Sequence, residues 1–199
     1  MESPTAVEGQ PQNATLRSMY LSSSFLHRAA LAALLCCYLS GCSPTFDWRE
    51  VRDPTDGYSV LMPGKPSTHT RPVLLNGMKL DMSMRAVEVN QLMFAIGQVH
   101  LPDSSSAAAT LTIMKDQLLA SSSTTSIREK ITPAADGRGS MIEVEAGGAP
   151  GAGNNGQTRV LYGRFISKDA ALYQVLIVGP KNKITDEVVE TFLTSFKLP

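Results

Sequence analysis

Between Met78 and Ala86 apolar and polar residues alternate without a break. Met78, Leu80, Met82, Met84 and Ala86 share one side, and Lys79, Asp81, Ser83 and Arg85 share the other. A period of two belongs to an extended strand with one face buried and one face wet, the pattern of antiparallel sheet. A strand of this kind needs neighbours and something to cover its apolar face. The pattern over Met78–Val89 therefore commits the chain to a sheet, and Asn90-Gln91 turns it into a second strong strand, Leu92–Leu101.

The remaining segments fit the same plan. Phe46 to Val51 and Tyr58 to Met62 read as short strands around the turn signal Asp53-Pro54-Thr55-Asp56-Gly57, and Pro63-Gly64-Lys65-Pro66 stops the second. Pro102-Asp103-Ser104-Ser105 offers helix-start residues, and Leu111, Met114 and Leu118 recur at helical spacing, which predicts a helix over 107–120. Thr124 to Ile131 and Met141 to Ala146 read as weaker strands. Arg159 to Ser167 and Ala171 to Val178 form a hairpin with Lys168-Asp169 at its turn. The last helix carries the fullest set of signals. Thr185 caps it, Asp186 and Glu187 complement its positive end, and Ile184 and Val189 stand at staple positions. Val189, Phe192, Leu193 and Phe196 supply its apolar face. The expected class is α+β, an antiparallel β-sheet with two covering helices.

The three cysteines, Cys36, Cys37 and Cys42, lie together beside one apolar run, and none follows Ser43. The folded part is thus expected to stand without disulfides, a cysteine metal site or a cysteine nucleophile. Lys+Arg and Asp+Glu are both 18. Removing residues 1–41 takes two of each (Arg17 and Arg28, Glu2 and Glu8), so the balance stays at zero. That excludes the basic footprint of a nucleic-acid binder and a polybasic membrane patch.

The run Ala29 to Leu39 is about eleven residues long. A membrane-spanning helix takes roughly 20, so the run has the length of a signal-peptide core. His27 and Arg28 precede it, and Leu39-Ser40-Gly41-Cys42 closes it. This tetrapeptide resembles the lipobox of bacterial lipoproteins at all four positions. The resemblance implies recognition of Leu39, Ser40 and Gly41 by the signal peptidase, cleavage before Cys42, and acylation of its thiol. It also implies that residues 1–41 form the signal peptide, 42–45 a short lipidated tether, and 46–199 a single α+β domain. Several acyl chains hold a protein on a bilayer where one is marginal, at about 0.8 kcal/mol per buried CH₂. Glu2 and Glu8 are unusual in such a leader, and Met19 makes a more natural start. Ser43 after the cysteine implies sorting to the outer membrane, facing the periplasm, in a cell with two membranes.

Tyr58-Ser59-Val60-Leu61-Met62-Pro63-Gly64-Lys65-Pro66 resembles the opening strand and turn of PsbP-like bacterial lipoproteins. Tyr173 to Gly179, a helix, and Phe192-Leu193-Thr194-Ser195-Phe196-Lys197-Leu198 resemble their ending. The likeness covers most of 58–198 in layout. It implies an α/β/α arrangement around an antiparallel sheet and an accessory or assembly role. It carries no functional residue onto this chain.

Several groups invite a chemical reading. Gly151-Ala152-Gly153-Asn154-Asn155-Gly156 fits G-x-G-x-x-G, but Arg159-Val160-Leu161-Tyr162 after it has a strand pattern where a nucleotide site needs a helix, so a hairpin loop is expected and no nucleotide. Met78, Met82, Met84 and Met93 with His100 have the donors of a copper site. Most of these methionines share a face with Leu80 and Ala86, where methionine fills core gaps. His69 and His100 are the histidines available to a hydrolase, and Gly137-Arg138-Gly139-Ser140-Met141 is not a nucleophile elbow. Glu143 and Glu145 on one strand face suit either an acid/base pair or an exposed face. Asp53 and Asp56 lack the other ligands of a calcium loop and read as turn formers. Phe46 and Trp48 suit a membrane interface or the packing of the first strand. No catalytic set converges, and no cofactor or metal is expected. The expected role is a non-enzymatic, membrane-anchored factor with an envelope protein partner. The alternatives are a module for a small or lipidic ligand and an envelope hydrolase.

Overall fold

The computed structural model describes residues 44–55, 57–133, 139–148 and 157–198. Strands β1 (Arg49–Asp53) and β2 (Tyr58–Met62) pair as a small antiparallel hairpin sheet. Strands β3 (Ser67–Leu75), β4 (Met78–Val89) and β5 (Leu92–His100) form a meander. Helix α1 (Ala107–Ser121) then carries the chain to the far edge, and β6 (Thr124–Pro133), β7 (Gly139–Gly148), β8 (Arg159–Lys168) and β9 (Ala171–Pro180) return as a second meander. The two meanders join where β9 pairs antiparallel with β5, giving the order β3-β4-β5-β9-β8-β7-β6. A 3-10 turn at Lys181–Lys183 leads into helix α2 (Asp186–Ser195). The class is α+β, as the strand alternation predicts.

The sheet is apolar on both faces at its centre. On β9, Leu172 and Leu176 belong to the core around Leu111 and Met114 of α1, while Tyr173, Val175 and Ile177 belong to the core around Val188 and Phe192 of α2. Alternate residues of one strand point to opposite faces, so the helices cover opposite sides of the sheet. The hairpin β1–β2 shares the α2 side: Tyr58, Val60 and Met62 pack with Leu92, Phe94 and Ile96 of β5. Ser195 Oγ accepts a hydrogen bond from the Leu61 amide (3.0 Å), and Tyr58 stacks on Phe196 (5.5 Å), which tie α2 to β2.

Local signals explain most boundaries. Thr185 Oγ1 accepts from the Val188 amide at 3.3 Å, with Asp186 and Glu187 in the first turn of α2. Asn90 and Gln91 take positive φ angles (52° and 68°), the geometry of a tight hairpin. Three features depart from what the sequence pattern predicts. The first strand is Arg49–Asp53, not 46–51, because Phe46 and Trp48 turn onto Phe94 (6.0 and 5.9 Å between ring centres) before pairing begins. Strand β3 has no counterpart in the pattern, since six of its residues in a row are exposed. In α2 the buried valine is Val188, while Val189 is only half covered.

Candidate functional site

Helix α2 and the β1–β2 hairpin do not cover the whole of their side of the sheet. Strands β6, β7 and β8 leave a strip beside α2, and its side chains are set by strand register. Glu143 pairs with Lys130 on β6 and with Arg164 on β8; Glu145 pairs with Arg128 on β6 and with Tyr162 on β8. Two rows therefore cross three strands, Lys130–Glu143–Arg164 and Arg128–Glu145–Tyr162, each with a carboxylate in the middle. Cross-strand pairs of opposite charge sit close enough to stabilise a sheet.

The rows are bonded within themselves and to α2. Arg164 Nε donates to Glu143 Oε1 at 2.8 Å, and its Nη1 donates to the Leu193 carbonyl at 2.7 Å, fastening the last turn of α2. Tyr162 Oη donates to Glu145 Oε1 at 3.4 Å, and Arg128 Nη1 lies 3.6 Å from Glu145 Oε2. Burial, and then the neighbouring Glu145, raise the Tyr162 pKa above its ordinary value, so the phenol stays a donor. Lys130 has no ion pair among the described residues. Asp186, Val189, Glu190, Leu193 and Thr194 of α2 form the other wall of a groove of about 550 Å³. That volume is within the range of ligand pockets, roughly 300–1,000 Å³, but the groove is open along its length and mixed in charge.

On the α1 side, Lys115 is almost wholly covered (8% of its side chain exposed). It donates to Glu129 of β6 at 2.8 Å and lies 3.0 Å from Asp116. Burial works to lower the Lys115 pKa, but the hydrogen bonds to Glu129 and Asp116 outweigh it and hold the ammonium above its ordinary value. Glu129 thus faces α1 while its neighbours Arg128 and Lys130 face the groove.

The structure disperses most of the residues that the sequence singles out. Leu39, Ser40, Gly41 and Cys42 lie outside the described residues, as do Asp56 and Gly151 to Gly156; the next element after the glycine-rich segment is strand β8. Glu143 and Glu145 share a face, each engaged by a cation or phenol. Met82 is buried and Met78 and Met84 are half buried against the α1-side core. Met93 and His100 stand at opposite ends of β5, about 23 Å apart at ~3.3 Å per residue. His69 sits opposite Met84 on the α1 face, and His100 continues the α2 face of β5, with Gln98 Nε2 2.9 Å from its Nε2. Counting strands and residues puts the two histidines about 14 Å apart, on opposite faces. Asp53 acts as a turn former, accepting from the Thr55 amide at 3.0 Å, and also pairs with Arg85 at 2.5 Å. Phe46 and Trp48 pack on Phe94. Arg128, Lys130, Tyr162 and Arg164 do not stand out in the sequence. Their signal is the alternation within β6 and β8, and it becomes a site only once the register is known. No protein-family model matches this chain, and no curated protein matches it in sequence.

Proposed function

We propose that this chain is a lipid-anchored protein of the bacterial envelope, held through Cys42, whose work is to bind a protein partner at the groove between α2 and strands β6–β8. The groove carries the reading. On its sheet wall Glu143, Glu145, Arg128, Arg164 and Tyr162 are engaged with one another, which suits recognition of a complementary surface better than acid/base or nucleophilic chemistry. The likeness of Leu39-Ser40-Gly41-Cys42 to a lipobox supports attachment by lipid.

A photo-crosslinking residue in place of Thr194, which is exposed on the groove wall, tests the binding reading in intact envelopes. One protein adduct from Thr194, weakened by Lys130→Glu, is expected; no adduct, or the same adducts from exposed positions elsewhere, refutes it. Cys42→Ala tests the anchor separately: the variant should lose its acyl mass and leave the membrane fraction.

A second reading, a small ligand held between α1 and the sheet, draws on a different observation. A cavity of about 310 Å³ lies there, lined in part by Met82, Met114, Leu118 and Gln174. A crosslinker at Gln117, on its rim, would label a lipid or small molecule under this reading and nothing under the first.

A further inference from the structure

We infer that β6 is a docking edge for an extended segment of another protein, one that alternates acidic and apolar residues. The inference rests on the reading that the chain binds a protein, and it names what that protein presents.

Strand β6 ends the seven-stranded sheet, so its outer backbone edge has no strand beside it among the described residues. Such an edge is a template for an added strand. The other end of the sheet, β3, is a poorer template, because Pro72 in mid-strand lacks an N–H. Strand β6 has ten residues, with Pro133 only at its end, and it exposes Ile127 and Ile131 (66% and 63%). Large aliphatic side chains that open to water are an uncommon choice for a strand that stays single-sided.

The two faces of β6 specify what fits. Arg128 and Lys130 lie on the groove face. Glu129 and Ile131 lie on the α1 face, where Glu129 is already held by Lys115 and Ile131 pairs with Ile142. The pairing shifts register between Ser126 and Arg128, and Ile127 is the extra residue. A Cβ on Gly147 would meet Ile127 Cδ1 at 2.9 Å, so Ile127 lies over Gly147 on the groove face too. An added strand therefore meets two cations and Ile127 on the groove face, and Ile131 beside the already engaged Glu129 on the other. The chain already contains one strand that satisfies this pattern. On the inner side of β6, β7 places Ile142 against Ile131, Glu143 against Lys130 and Glu145 against Arg128. A second strand of that kind, with carboxylates two residues apart and an aliphatic between them, complements the outer side.

A second copy paired about Glu129 does not. A two-fold pair of antiparallel strands keeps like faces together. Centred on Glu129, it sets Arg128 of each copy opposite Lys130 of the other, and like charges directly opposite destabilise a sheet.

The test uses the full-length protein and a labelled ten-residue peptide with the sequence of β7, Gly139–Gly148, monitored by fluorescence anisotropy at low salt. The same peptide with Lys at both Glu positions should bind about tenfold or more weakly, since two attractive cross-strand pairs become repulsive. Methylation of alternate peptide amides should abolish binding in one of the two frames, because only one edge of the peptide pairs. The Arg128→Glu/Lys130→Glu variant should reverse the preference between the two peptides. Both residues are exposed; should the double variant misfold, Lys130→Glu alone is expected to weaken the β7 peptide about threefold. Hydrogen exchange should slow in β6 and stay unchanged in β7, which excludes displacement of β7 by its own sequence. Equal binding of the acidic and basic peptides, indifference to both methylation frames, or no binding overturns the inference. A concentration-dependent dimer of the wild-type protein whose formation slows amide exchange in β6 would overturn it in favour of a second copy. If the peptide fails while Thr194 still crosslinks a partner, the strand inference falls and the binding reading stands.

Discussion

Gly97→Ala should destabilise the protein, and most of its cost should vanish when it is made in a Gln174→Ala background. Gly97 on β5 pairs with Gln174 on β9, at the line where the two meanders meet. A methyl group on Gly97 would lie 2.6 Å from Gln174 Nε2, 2.8 Å from Cγ and 3.0 Å from Cδ. Contact with Cγ is the decisive one. The amide end of a side chain can swing away, but Cγ moves only with χ1, and Gln174 is 2% exposed in a packed layer. Its Nε2 lies 3.6 Å from Met82 Sδ, a weak acceptor, so little is lost there when the glutamine goes. Overpacking of this kind costs about 1–3 kcal/mol. At about 2 kcal/mol per molar urea, the unfolding midpoint of Gly97→Ala should fall by ~1 M. Gln174→Ala alone should cost about 1–3 kcal/mol for the void it leaves. In the double variant the alanine methyl group fills part of that void, so the two costs should fall short of additive by about 1–2 kcal/mol. The chain has one tryptophan, Trp48, packed on Phe94 of β5, and its fluorescence reports the transition. Costs that add to within ~0.5 kcal/mol, or a neutral Gly97→Ala, would show that the two residues do not meet as described.

Glu129→Gln leaves the Lys115 ammonium with Asp116 as its remaining charged partner and should cost about 1–2 kcal/mol in urea unfolding at neutral pH. Because the folded-state Lys115 pKa lies above its ordinary 10.5, this contribution is complete below that value and is lost as pH rises through the folded pKa. The gap between the wild-type and variant proteins should therefore hold steady from pH 7 to 10 and close only beyond. Thr185→Ala removes the acceptor for the Val188 amide and should cost about 1 kcal/mol, with Thr185→Ser restoring most of it; a neutral alanine would mean the cap is idle. Arg164→Met severs the tie from β8 to the Leu193 carbonyl and should speed amide exchange in the last turn of α2 while leaving α1 unchanged.

The parts of this fold legible in the sequence are those whose cause is local. Strand β4 announces itself because one face is buried and the other wet; the last helix does so because its cap, dipole charges and staple lie within a few residues of one another. Strand β3 is not legible because it is an edge: His69, Thr70 and Arg71 answer to solvent, and no buried face imposes a period. One signal for it is present, the Asn76-Gly77 pair, both at positive φ (49° and 76°) and directly before β4, since Asn-Gly flanked by extended segments is a hairpin signature. The pairing of β5 with β9 has no local signal at all. Their long apolar runs say only that both are buried on two faces, and which central strand lies beside which is decided by the crossover through α1.

The same crossover explains where the candidate site lies and why it is only half visible in the sequence. Because α1 carries the chain from β5 to the far edge, β6 ends the sheet and β7 and β8 lie between it and the centre. The two elements left for the other face, the β1–β2 hairpin and the ten-residue α2, cover β4, β5 and β9 and reach only the near side of β8. The uncovered side of β6–β8 must then be polar. It is so strand by strand: Ile142, Val144, Leu161 and Phe165 turn toward α1, while Glu143, Glu145, Tyr162 and Arg164 turn away. Glu143 and Glu145 stand out in the sequence because an alternating strand shows its wet face. Their partners do not, because nothing in the spacing of Lys130 or Arg164 says that strand register will bring them to Glu143. A groove assembled by register, at the open end of a face too wide for its cover, is legible as alternation in each strand and becomes a surface only when the strands are laid side by side.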